Sequence, residues 1–214
     1  MTTPRTSPNA DRKAALDAIR TSQQRSERRR TVLISSIAGA LVLGLVVATA
    51  VVLGQESAKN AKVDALAAQD IDGVETLENL TFDHVDGPVD YGRPAPAGGD
   101  HYVAWQNCGV YTEPIGNENG VHSLEHGAVW LTYDPSLPAD QVATLAEFAK
   151  KESYVLVSPV EGLPSPVVAS SWGYQLEADD ASDPRIAAFV RKYLLNTELP
   201  EVGAACTGGV GTPA

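Results

Sequence analysis

The sequence predicts an α+β protein: a single-pass N-terminal transmembrane helix, then one extracytoplasmic domain with a small, mainly antiparallel sheet covered by two helices. Three observations predict it. Residues 31–53, "TVLISSIAGALVLGLVVATAVVL", form an apolar run with no charge and no proline. Between residues 128 and 194, stretches rich in β-branched and aromatic residues alternate with two stretches of helical apolar spacing. Two cysteines, Cys108 and Cys206, both follow the apolar run.

The apolar run is long enough to span. As a helix rising about 1.5 Å per residue it reaches roughly 34 Å, against a hydrocarbon core of about 30 Å. Ala38, Gly39, Ala40 and Gly44 would let a second helix approach. A cleaved signal peptide is the rival, because "ATA" at 48–50 imitates a cleavage site. The run exceeds a signal core of about 7–15 residues and follows thirty polar residues, which favours an uncleaved anchor.

Charge sets the expected orientation. Residues 1–30, a basic tail, hold eight Arg and Lys, ending in "RSERRR", against Asp11, Asp17 and Glu27. Positive-inside asymmetry places this tail in the cytoplasm and the C-terminal part outside. Residues 31–214 carry 8 basic and 24 acidic residues, a net of −16. That balance excludes nucleic acid as a partner and leaves the membrane, and through it a membrane protein complex, as the expected one.

The remaining elements follow in order. "DRKAALDAI" in the basic tail is a short helix candidate, and residues 54–70 are a linker or helical stalk rich in good helix formers. The domain covers residues 71–206. Its first part, through "DHVDGPVDYGRPAPAGGDH", is turn and loop, and a long irregular stretch in a compact domain is often functional. "AVWLTY" (128–133) is a buried strand, and residues 138–151 are a helix with proline at its start, Asp140 in the first turn and lysines at the end. Residues 154–160 are a second strand. Residues 166–176, "PVVASSWGYQL", are a third, with Gly173 as a bulge. Asp183 caps a second helix opened by Pro184, with Ile186, Phe189, Val190, Tyr193 and Leu194 facing inward. Residues 207–214 are expected to be a disordered tail.

The chemistry concentrates in one stretch. The chain's four histidines, His84, His101, His122 and His126, all lie between residues 84 and 126. Neutral imidazole is the commonest side-chain ligand for zinc and copper. In "VHSLEHGAVW", His122 and His126 are four apart. On an extended strand their α-carbons stand about 13 Å apart, too far to share an ion. On a helical turn the β-carbons come within about 6 Å, so the metal reading requires "HSLEH" to be helical. Glu125 precedes the second histidine rather than following the first, so the general base of the H-E-x-x-H proteases does not transfer.

The expected ligands are therefore His101, His122 and His126, with Glu125, Asp100 and His84 as supporting groups or further ligands. The expected cofactor is one copper or zinc ion. Cys108 and Cys206 are read as one disulfide, since an even pair outside the cytoplasm is most simply bridged; Cys108 as a metal ligand is the alternative. A methionine-rich copper(I) site is excluded, because the single methionine is Met1. Histidines satisfied structurally inside a non-catalytic interaction module, and a zinc hydrolase, are the other two readings. No G-x-S-x-G elbow supports nucleophilic hydrolysis.

Three segments, "GGDHYVAWQNCGVYTEPIGNENGVHSLEHGAVWLTYDPSLP", "LPSPVVASSWG" and "DPRIAAFVRKY", resemble in order the bacterial membrane-anchored family called domain of unknown function 3105. The resemblance spans roughly Val74 to Cys206, and "VHSLEHGAVW" is its most specific motif. His101, Cys108, His122, Glu125 and His126 match it. "PAPAGGDH" departs from the more proline-rich form, which bears on the loop geometry. The resemblance implies a domain without an established activity. Metal handling, or assembly of a membrane metalloenzyme, is the function expected from the residues, with copper ahead of zinc.

Overall fold

A computed structural model describes residues 8–199 and 201–214. The chain divides into two units, Met1–Ala58 and Lys59–Ala214. Helix α1 (Pro8–Ala67) takes in the apolar run, the basic segment before it and most of the segment read as linker or stalk. It is the one helix among the described residues long and apolar enough to cross a membrane, and its apolar window has no side chain buried in the protein. Val32, Leu33, Leu41, Leu45, Val52 and Leu53 are all exposed.

The second unit is built on a mixed sheet. Its strands are β1 (Val74–Thr76), β2 (Gly109–Val110), β3 (Val129–Tyr133), β4 (Val155–Pro159), β5 (Val167–Ser171) and β6 (Tyr174–Ala178). The spatial order is β1-β6-β5-β3-β4-β2. β1–β6, β6–β5 and β5–β3 pair antiparallel, whereas β3–β4 and β4–β2 pair parallel. Six strands make this sheet larger than the small one expected. Helix α3 (Ala139–Lys151) connects the parallel pair β3 and β4, as parallel neighbours require.

Residue alternation separates the two faces. On one face Val129, Leu131 and Tyr133 of β3 join Val155 and Val157 of β4 in the main core. That core also takes Leu145 of α3, and Ile186, Phe189 and Val190 of α4 (Pro184–Tyr193). Asp183 caps α4 as expected, accepting the Arg185 N–H at 2.8 Å. On the other face Trp130 and Leu156 pack with Tyr111 and with Leu124 of α2 (Asn117–Glu125). Three helices, not two, therefore cover the sheet. This second face is partly polar: the Trp130 indole N–H donates to Ser158 Oγ at 2.9 Å, and Gln175 Nε2 donates to Ser170 Oγ at 2.9 Å.

Two expectations need correction. Residues 166–176 are not one bulged strand. β5 and β6 form a hairpin turning at Trp172-Gly173, with Ser171 opposite Tyr174 and Gly173 at φ +79°. An apolar run on both sides of a single glycine hides such a turn. The last residues, expected to be disordered, are docked. Asn107 N–H donates to Val210 O at 2.9 Å, Val210 N–H to Trp105 O at 2.9 Å, and Ala214 N–H to Val110 O at 2.8 Å.

Gly120 sets how closely α2 lies on the sheet. A β-carbon there would stand 2.7–3.0 Å from three ring carbons of Trp130, which is fully buried and hydrogen-bonded. Gly120→Ala should destabilise the domain by about 1–3 kcal/mol despite its better helix propensity. Urea denaturation measures this; an unchanged or stabilised variant would show that α2 does not depend on that contact.

Candidate metal centre

The last turn of α2 brings the paired histidines together. His126 ends the helix with φ −68° and ψ −7°, and its N–H donates to His122 O at 3.2 Å. "HSLEH" is thus helical, and the two ring centroids lie 4.6 Å apart. Gly127, at φ +100°, turns the chain toward β3, and a β-carbon there would press on the Leu195 backbone at 3.0 Å. Few residues other than glycine adopt that conformation. Ser123, between the histidines, is committed elsewhere: its hydroxyl donates to Gln106 O at 2.7 Å.

The irregular segment delivers two more imidazoles. Gly98 and Gly99 adopt φ +129° and +120°, and this turn carries His101 against α2. His84 runs beside His101 as an isolated bridge, with Val85 N–H donating to His101 O at 2.8 Å and His101 N–H to Asp83 O at 3.1 Å. His84, His101 and His122 form a triangle of rings with centroids 4.8–4.9 Å apart. Asp100, read as a supporting group, points elsewhere, because its carboxylate accepts the Asp83 N–H at 3.1 Å.

Backbone carbonyls fix which nitrogen each histidine presents. Nδ1 of His101 lies 2.8 Å from Gly99 O, that of His122 2.6 Å from Tyr102 O, and that of His126 2.8 Å from Ala205 O. A carbonyl oxygen only accepts, so each Nδ1 carries the proton and each neutral ring holds its lone pair on Nε2. Carbonyl support of this kind is what metal-binding histidines commonly show.

The three Nε2 atoms face carboxylates. His101 Nε2 is 3.1 Å from Glu125 Oε2. It is buried and lacks a hydrogen-bond partner. Glu201 Oε2 is 3.3 Å from His126 Nε2 and 3.8 Å from His122 Nε2. Neutral imidazole lone pairs and ionised carboxylates are all acceptors, so the cluster is short of positive charge. A proton or a metal ion between them supplies it.

Among the described residues these atoms fall into two groups that could hold an ion. His84, His101, His122 and Glu125 form one, and His122, His126 and Glu201 the other, with the ligand atoms of each lying within 4.8 Å of one another. The structure therefore does not gather His101, His122 and His126 into a single set; His122 belongs with each of the others separately. Glu201 was missed, because nothing in its local sequence marks it. Its neighbour Cys206 gave the one available signal, since the disulfide to Cys108, α-carbons 5.3 Å apart, brings that segment to α2. Gly203 N–H donates to His126 O at 3.0 Å and completes the attachment.

Burial disfavours the charged forms of His122 and Glu125. The His122 imidazole is pushed down to about 4, first by burial, against the Tyr102 hydrogen bond, and then by the neighbouring imidazoles of His126, His101 and His84. Burial pushes the Glu125 carboxyl up; the His101 imidazole opposes this and the Glu201 carboxylate adds to it.

A family profile described as protein of unknown function (DUF3105) matches residues 84–208, which contain all the residues of both groups. No curated protein and no solved structure matches the chain.

A histidine held neutral by the fold contributes stability that is complete above its ordinary value of 6.5 and is lost as pH falls toward about 4. Glu125, raised, has the opposite sign: its contribution is complete below 4.5 and is lost as pH rises through its folded value. In chelator-treated protein carrying Glu125→Gln, the unfolding temperature should therefore fall between pH 6.5 and 4. Adding His122→Gln should flatten part of that fall. An identical slope with and without His122 would remove it as the titrating group.

Proposed function

The chain belongs to the DUF3105 family of proteins of unknown function, so its role must come from its own side chains, and we propose that its C-terminal domain binds one first-row transition metal ion at the histidine cluster. The observation that carries this reading is the set of three imidazoles whose Nδ1 atoms are tied to backbone carbonyls, leaving Nε2 lone pairs turned toward carboxylates, that of His101 buried and without a hydrogen-bond partner. Imidazole and carboxylate together suit copper(II) and zinc, and copper is the first choice, in metal handling or assembly of a membrane metalloenzyme. Bond lengths near 2 Å require the ligand atoms to draw in to about 3–3.5 Å of one another. Glu201 and His84, the exposed members, have room to make that movement. α1 serves as an uncleaved single-pass anchor with the domain outside, a reading supported by its exposed apolar side chains and by the disulfide.

A second reading rests on the same carbonyl bonds. Two of them attach Tyr102 and Ala205 to the end of α2, and the third braces His101 within its own loop, so the histidines also read as struts of a non-catalytic docking module, recruited to a complex by the membrane helix. The two readings separate cleanly in metal content. Full-length protein purified in a non-chelating detergent should carry close to one copper or zinc per chain, and His122→Ala less than about a tenth of that. Equal, negligible metal in both after copper and zinc supplementation would leave the docking module.

Topology has its own test. Protease added to intact cells should degrade a C-terminal epitope and spare an N-terminal one. Protection of the C-terminal epitope would overturn the proposed orientation.

A further inference from the structure

Resting on the metal reading above, we infer that the cluster provides two overlapping positions for a single ion, and that His122 is the ligand common to both. One position consists of His122 with His126 and Glu201; the other consists of His122 with His84, His101 and Glu125. The argument is one of valence. With Nδ1 donating to Tyr102 O at 2.6 Å, His122 has one remaining lone pair, on Nε2, and one lone pair serves one ion at a time. Two ions cannot both be complete, because whichever set holds His122 leaves the other with one imidazole fewer.

The surroundings make the positions different. His101 is fully buried, and the Glu125 side chain is 4% exposed, whereas the Glu201 side chain is 46% exposed. Glu201 Oε2 lies between the His122 and His126 nitrogens, placed to bind and to leave. At the opposite end of the ligand series His84 is the exposed member. The series therefore runs from an exposed carboxylate, through two buried imidazoles on one helical turn, to a buried imidazole–carboxylate pair flanked by an exposed imidazole. An ion can change position by exchange of ligands while its bond to His122 persists: His126 and Glu201 release as His101, Glu125 and His84 engage. No proton or electron transfer is required. The chemistry fits a protein that accepts a metal ion at one set of ligands and gives it up from another, rather than one that stores it in a closed cage.

Copper(II) titration of the full-length protein in detergent, followed by electron paramagnetic resonance, tests this. The wild type should bind one copper per chain. His126→Ala/Glu201→Gln should still bind one, with the signature of the three-imidazole set. His84→Ala/Glu125→Gln should also bind one, with a different spectrum. Each pair should weaken binding by about 10–100-fold, and His122→Ala should abolish it. His101→Gln replaces the second pair if that pair does not fold, as judged by circular dichroism. Two coppers per wild-type chain, loss of all binding in either pair, or identical spectra in the two pairs would overturn the shared-ligand inference while leaving a metal site intact. A wild type that binds no copper would overturn both, and the outcomes are thus distinguishable.

Discussion

Three carbonyl oxygens, those of Gly99, Tyr102 and Ala205, govern what this domain can do. By accepting Nδ1 protons they hold His101, His122 and His126 in one tautomer and one orientation. Without those bonds each ring could present either nitrogen, and the approach of imidazole to carboxylate would be an ordinary buried hydrogen bond. With them, the lone pairs of all three rings are turned away from the backbone that supports them. The irregular loop and the C-terminal segment thus act on the cluster through their main chains, which is why residues with unremarkable side chains sit at those positions.

The sheet makes this arrangement affordable in energy. One face is devoted to an apolar core with α3 and α4, and its strands are buried along their whole lengths. That leaves the second face free to carry polar groups, each answered by a partner: Trp130 by Ser158, Thr132 by Val168 O, Gln175 by Ser170 and Ala95 O. The histidine cluster lies at the end of the helix packed on that face. There, His101 Nε2 and the Trp105 indole N–H are buried without hydrogen-bond partners, in contrast to the satisfied polar groups of the sheet face.

Much of the fold could be read in the sequence where local signals are strong. β3 shows its β-branched and aromatic run, α3 its proline, acid and lysines in helical order, and α4 its Asp183-Pro184 start. β1 and β2 could not be read, since strands of three and two residues carry no period. The hairpin at Trp172-Gly173 was hidden because tryptophan is a poor turn marker. The site was half legible. Four histidines in one stretch pointed to it, and helical spacing named the condition for His122 and His126. Carbonyl oxygens have no residue identity, so the tautomers were beyond sequence reasoning. Glu201 is distant along the chain, and only the cysteine pairing connects it to the histidines. Asp100 joins neither group, because adjacency to His101 in sequence says nothing about direction in an irregular turn.

The disulfide closes a sequence separation of 98, and β2 to β6 and α2 to α4 all lie within the loop it closes. Glu201 and Ala205, which face and support the histidine pair, come from the segment anchored at its far end. The inner histidines and Glu125 can meet once α2 has formed on the sheet. The Glu201 side of the cluster needs in addition the segment 201–206, which the disulfide and the bonds from Gly203 N–H to His126 O and from Cys108 N–H to Cys206 O hold against α2. The two sides of the cluster thus differ in how far along the chain they reach: one is closed within residues 84–125, and the other spans almost the whole loop that the disulfide closes.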